Sequence, residues 1–203
     1  MTLAEVWTNY MHVLREKAPV TASSIRPPRP ATDVSEAERT VGSWTNELRE
    51  FYLLQDGQDP LHSGATPRGE VLPELRILPL DEAVALHRWW QEHPHSIESL
   101  GPTWSEQVRT QSAGESAAMF LPEYIPVAEG LAGSLAYIDT RGGVHSGCVR
   151  FFSAESADEG AAAYESLSEF VRQVAESVEA GSAHGEFAPS IEDGILLWEE
   201  LDD

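Results

Sequence analysis

Ile125-Pro126-Val127-Ala128-Glu129, Leu135-Ala136-Tyr137-Ile138-Asp139 and Cys148-Val149-Arg150-Phe151-Phe152 are three apolar-rich runs set close together in the chain. Each is too short for an ordinary helix and reads as a β-strand. Thr140 to Gly147 joins the last two, and its glycines allow a tight return. Upstream, Leu75 to Leu78 reads as a shorter strand ended by Pro79. Asp81 then reads as the cap of a helix on which Ala83, Leu86 and Trp90 share a face.

Helical spacing frames these strands on both sides. Leu3, Val6, Trp7, Tyr10, Met11 and Leu14 fall on one face of an N-terminal helix, with Trp7 and Tyr10 expected to pack inward. Ile25 to Pro30 is a proline-rich extended linker. Ser35 followed by Glu38 reads as a capping box. Val41, Trp44, Leu48, Phe51 and Tyr52 follow at helical spacing, with Gly42-Ser43 as a break and Gly57 as the stop. Residues His93 to Met119 show little periodicity and read as a long surface loop with one helical turn around Trp104. Tyr164, Leu167, Phe170, Val171, Val174 and Val178 define a helix ended by Gly181, and Asp193-Gly194 centres a small hairpin between Phe187 and Glu199. The expected fold class is therefore α+β: a mostly antiparallel central sheet, covered on one face by helices, with an extra N-terminal helix. The chain divides into 1–26 (amphipathic helix and linker), 27–181 (main domain) and 182–203 (acidic tail with the hairpin).

The 203 residues carry a formal net charge of −21. Fourteen acidic residues against the single Arg172 lie between Ser153 and Asp203. A nucleic-acid surface needs a basic stripe, so that class is excluded; charge of this sign favours basic protein partners. No apolar run approaches the roughly 20 residues that span a bilayer, and the N-terminus lacks the pattern of a signal peptide. One cysteine, Cys148, suits a reducing interior, and the expected location is the cytoplasm. Twelve arginines against one lysine, with abundant alanine, point to a high-GC bacterial genome.

Candidate chemistry is sparse. His87, His93 and His95 lie close together beside Glu92, but without the cysteines or defined carboxylate of a zinc site, and Pro94 marks a loop. Cys148 and His145 have a spacing that suits a thiol nucleophile, yet a small buried cysteine is the commoner reading. Asp139 at its strand end reads as a turn cap without a partner carboxylate. Gly142-Gly143 lacks the Lys and helix of a phosphate loop. The reading is of a protein that is not an enzyme and has no metal or cofactor. Asp56, Gln58 and Asp59 next to Tyr124, Glu129 and Asp139 are candidates for an acidic and aromatic rim around a partner-binding cleft, against core or turn roles for each singly. Gly57, Pro79, Trp44, Trp89 and Trp90 are read as structural, the tryptophans as large buried area.

In order along the chain, Trp7, Pro27-Pro28, Glu38, Gly42, Asp56-Gly57-Gln58, Leu78-Pro79-Leu80, Asp139 and the Leu167 to Phe170 helix segment resemble the SUKH superfamily, the Smi–Knr group named after a fungal cell-wall-assembly regulator. The likeness covers roughly Pro27 to Gly181, and Trp44-Thr45 stands where the family commonly carries Leu-Pro. The resemblance implies a protein-binding module, and the residues of this chain lead to the expectation that it binds through its sheet face and the surrounding acidic rim. Many bacterial members are immunity proteins that neutralise toxins, and a basic toxin suits this charge. The alternative it leaves open is an intracellular regulator or scaffold linked to cell-wall assembly or stress signalling.

Overall fold

In the computed structural model the N-terminal half runs α1 (Leu3–Lys17), α2 (Pro19–Ala22), α3 (Ala31–Val41), α4 (Asn46–Leu54), β1 (His62–Ser63), β2 (Thr66–Pro67), β3 (Arg76–Ile77) and α5 (Leu80–Glu92). It continues with α6 (Trp104–Val108), β4 (Tyr124–Glu129), β5 (Leu135–Asp139), β6 (Val149–Phe152), α7 (Leu167–Ala180), β7 (Phe187–Glu192) and β8 (Ile195–Glu200). All residues are described except 43, 61, 64–65, 94–100, 102, 154, 156, 159 and 202–203; for 62–63, 66–67 and 105 only the backbone is described. The main sheet has the order β3-β4-β5-β6, with antiparallel pairing throughout. This is the expected α+β class.

Proline is poorly tolerated inside a central strand because it has no N–H for the ladder. Pro126 sits in β4 beside a register shift between Pro126 and Ala128, a bulge that loosens the ladder where proline cannot donate. The β4–β5 strand pair is buried on both faces. On one side lie Ile125, Val127, Ala136, Ile138 and Val149, against the helices. On the other lie Tyr124, Leu135, Tyr137 and Phe152, against Trp90, Val108, Ala117, Phe120 and Leu121.

That second layer corrects the expectation of a sheet covered on one face. Of the segment read as a surface loop, residues 94–100 and 102 lie outside the described residues; the rest contains the short helix at Trp104, and from Val108 onward it packs on the sheet instead of lying on the surface. Its apolar residues have no helical period because they approach the sheet from an irregular chain, and their burial is set by tertiary contact.

The helical layer follows its spacing. Leu3, Val6, Trp7, Tyr10, Met11 and Leu14 are all buried, with the Trp7 ring edge-on to Phe51 at 5.9 Å. Ser35 is no capping residue: α3 begins four residues earlier, after Pro30, so Ser35 lies within the helix. Glu38 instead reaches forward, accepting from the Trp44 N–H at 3.2 Å and from Arg49 Nε at 2.7 Å, and so ties α3 to α4. α3 ends at Gly42 as the sequence suggests; Ser43 lies outside the described residues. The strongest helix, α7, is capped by Ser166 and closed by Gly181 in the left-handed region at φ 64°. Tyr164 precedes that helix and pairs with Val149 instead of continuing the helical face.

The C-terminal hairpin turns at Asp193-Gly194, both at positive φ. It packs against the beginning of the chain: Leu196 N–H donates to Thr21 Oγ1 at 2.9 Å, and Val20 N–H to Gly194 O at 2.9 Å. Leu196 and Trp198 share one buried cluster with Leu3 and Trp7, so both ends of the chain contribute to the core of the main segment.

Candidate protein-docking groove

The Asp56-Gly57-Gln58 turn faces inward. Asp56 Oδ1 accepts from the Leu80 N–H at 2.9 Å, supplying the cap of α5 from across the fold. Its Oδ2 meets Arg29 Nε at 2.8 Å and Arg26 at 3.4 Å. Asp81 therefore does not cap α5; the helix starts at Leu80 after Pro79, and Asp81 pairs with Arg29. Gln58 is buried, its Nε2 donating to Ser24 Oγ at 3.0 Å and to Gly69 O at 2.6 Å, while its N–H reaches Ile77 O at 2.9 Å. The turn thus binds the proline-rich segment, β3 and α5 to one another.

Tyr124 and Asp139 are likewise fully enclosed, each with 0% exposure. They belong to a buried polar network built from residues distant in sequence. Asp139 Oδ2 accepts from Gly114 N–H at 3.0 Å and Arg141 Nη2 at 2.7 Å. Asp158 Oδ2 accepts from Tyr124 Oη at 2.6 Å and Ala117 N–H at 2.8 Å, with Arg150 Nη1 at 3.4 Å. Arg150 also donates to the carbonyls of Glu115, Asp158 and Gly160. Burial pushes the Tyr124 phenol far up, reinforced by Tyr137 and Asp158, and so keeps it a donor. Of the six rim candidates only Asp59, paired with Arg68 at 3.2 Å, and Glu129, paired with Arg76, reach the surface. The structure does not bring the six to one cleft.

Sequence reading passed over Arg150, although a signal was present. An arginine sharing strand parity with Phe152 faces the buried side, so it required a carboxylate, and Asp158 lies a few residues on. Trp44 and Trp90 are buried, but Trp89 is 48% exposed and stacks on His93 at 4.6 Å. Adjacent helical residues point about 100° apart, so Trp89 and Trp90 cannot both face the core.

His87 and His93 are held by different partners. His87 is buried with Nε2 at 2.8 Å from Pro122 O, and burial lowers its pKa. His93 Nδ1 lies 2.8 Å from Trp89 O, and His95 falls outside the described residues. Among the described residues no group of three or more His, Cys, Asp or Glu is placed to hold a metal ion. Burial, with Asp139 adding to it, pushes the Cys148 thiol up to about 11. The native protein should therefore react with an aromatic disulfide reagent near pH 8 at least about a hundredfold more slowly than free cysteine, and denaturant should restore the rate. Native reaction at the free-thiol rate would contradict this burial.

The open feature lies elsewhere. A cavity of about 450 Å³ runs between β6, the start of α7 and the start of β7, lined by Phe151, Tyr164, Phe170, His184 and Phe187 among others. Tyr164 stacks on Phe170 at 4.5 Å, and its hydroxyl lies 2.7 Å from His184 Nε2. Burial lowers the His184 pKa, favouring the neutral imidazole. Glu74 and Glu186 stand at its rim, and among the described residues no Lys or Arg lines it. Glu74 also lines a second cavity, of about 400 Å³, with Glu70, Arg76, Glu82, Glu129 and the exposed Leu131. Arg76 there is committed to Glu82 and Glu129. An aromatic groove and an acidic recess therefore adjoin across one glutamate. Sequence reading assigned Tyr164 and Phe170 to a helical core face; the edge position of β6 is what leaves the aromatic ring of residues open.

Among the described residues no helix is long and apolar enough to cross a membrane. The family model of the SMI1 / KNR4 family (SUKH-1) matches residues 31–173. Among curated proteins no relative matches the chain.

Proposed function

The chain belongs to the SMI1 / KNR4 family (SUKH-1), and from that premise we propose that it is a non-catalytic protein-binding module acting as an immunity protein against a basic toxin. The observation that carries this reading is the aromatic groove joined through Glu74 to an acidic recess. Apolar side chains supply binding energy by leaving water, while surrounding like charge selects the sign of the partner. The net charge of −21 extends the same preference over longer range.

The test is direct. The product of a neighbouring toxin gene, co-expressed with this protein, should lose its toxicity. Calorimetry of the purified pair should show affinity falling at least about tenfold between roughly 0.05 and 0.5 M salt, as the screening length drops from roughly 14 to 4 Å. A toxin neither bound nor neutralised would refute the reading. The alternative is a regulatory or scaffolding role served by the same surface, and it would be favoured by a gene neighbourhood without a toxin.

A further inference from the structure

We propose that the groove receives an extended, basic segment of the partner, held by main-chain pairing to Phe151 with one apolar side chain inserted among the aromatic rings. This deepens the protein-binding reading and rests on it.

β6 is the outermost strand of the main sheet. Val149 turns its main chain outward, donating to Tyr164 O at 2.9 Å and accepting from Ala163 N–H at 3.0 Å. Ser153 does the same, exchanging hydrogen bonds with Ala157 at 3.0 and 2.9 Å. Main-chain direction alternates along a strand, so Phe151, midway between them, also points its N–H and C=O outward. Its pairing with Ala136 on the inner side is accordingly the type without hydrogen bonds. Among the described residues neither group has a partner.

The returning chain leaves this gap for a physical reason. Asp158 and Gly160, which follow Ala157, are turned to the interior instead: Asp158 is held by Tyr124, Ala117 and Arg150, and the Gly160 carbonyl by Arg150. Among the described residues this bracketed edge thus leaves Phe151 unsatisfied, and Phe151 lines the aromatic cavity and is 43% exposed.

The chemistry selects the occupant. An unpaired donor and acceptor on a strand edge are met by extended backbone, since a helix satisfies its own main chain internally. A residue paired there projects its side chain beside Phe151, into the ring of Tyr164, Phe170 and Phe187. Glu74 and Glu186 at the rim, with no lining cation among the described residues, favour Lys or Arg on either side of that residue and disfavour carboxylates.

The probe is the peptide acetyl-Lys-Lys-Val-Phe-Val-Lys-Lys-amide, titrated into the full chain by calorimetry and amide-exchange NMR. Binding should slow exchange of the Phe151 amide. N-methylation of the peptide's central residue, which deletes one hydrogen-bond donor and leaves this protein untouched, should weaken binding about tenfold. Phe151→Pro removes the outward N–H without breaking a ladder bond and should weaken it comparably. Should that variant misfold, the N-methylated peptide decides alone. Replacing the four lysines of the peptide by glutamate should abolish binding.

Absence of peptide binding, equal affinity of the N-methylated peptide, or an unprotected Phe151 amide at saturation would overturn the inference. Equal binding of the glutamate peptide, or of a small apolar molecule with the same protection pattern, would do so too. The toxin separates this outcome from the broader reading: a complex unaffected by Phe151→Pro leaves the docking function standing and removes only the groove. Loss of all protein binding by the wild-type chain removes both.

Discussion

Asp158→Ala is expected to lower the unfolding free energy by about 3–5 kcal/mol, because it strands buried groups that have no access to water. The Tyr124 hydroxyl at 2.6 Å and the Ala117 N–H at 2.8 Å lose their acceptor at once. Arg150, 1% exposed, loses its nearest carboxylate and keeps only carbonyls and the more distant Asp139 at 3.9 Å. An unsatisfied buried donor is penalised by about 1–3 kcal/mol and a stranded charge by more, so the effects compound. Urea denaturation at neutral pH checks this, with the midpoint falling and the slope retained. The double variant Asp158→Ala with Arg150→Met should recover part of the loss, since it removes the charge together with its partner. A single-variant effect below about 1 kcal/mol would mean that the network does not close around Asp158 as described.

Gly57→Ala should cost about 3 kcal/mol or more, for two separable reasons. Gly57 has φ +75°, which penalises a residue bearing Cβ by about 1 kcal/mol or more. The added Cβ would also lie 2.5 Å from Leu78 C and nearer still to the Pro79 nitrogen. Those are main-chain atoms and cannot rotate away, so the start of α5 must shift and the Asp56 cap with it. Gly181→Ala isolates the first component: φ is +64° but nothing lies within 4 Å of the new Cβ. It should therefore cost only about 1 kcal/mol. Thermal and urea unfolding of the two variants side by side measures the difference, and equal losses would show that close approach at Gly57 contributes nothing.

Much of this architecture is legible without coordinates, and particular elements show why. The face of α1, the strand β5, the stop at Gly181 and the turn at Asp193-Gly194 each depend on residues within one or two turns of one another. Periods of 3.6 and 2, a left-handed terminus and a two-residue hairpin are local geometries, so local sequence expresses them. Ser35 and Asp81 fail as caps for the converse reason. Both match a local capping pattern, but α3 starts earlier at Ala31, and α5 takes its cap from Asp56, a residue on another element. The second covering layer was not legible either, because Val108, Ala117 and Phe120 carry no period.

Sequence alone determined the main helices and sheet strands, their order, the family resemblance and the strong acidity of the chain. Tertiary structure decided which acidic residues reach the surface. Asp56, Tyr124 and Asp139 went inside as fasteners, while Glu74, Phe151 and Phe187, from three separate stretches, came to one groove. The physical reason is range. A helix or strand is selected by neighbours a few residues away, whereas burial of a charge and the opening of a sheet edge depend on groups such as Asp158 and Tyr124, far apart in the chain and placed together only when the layers close.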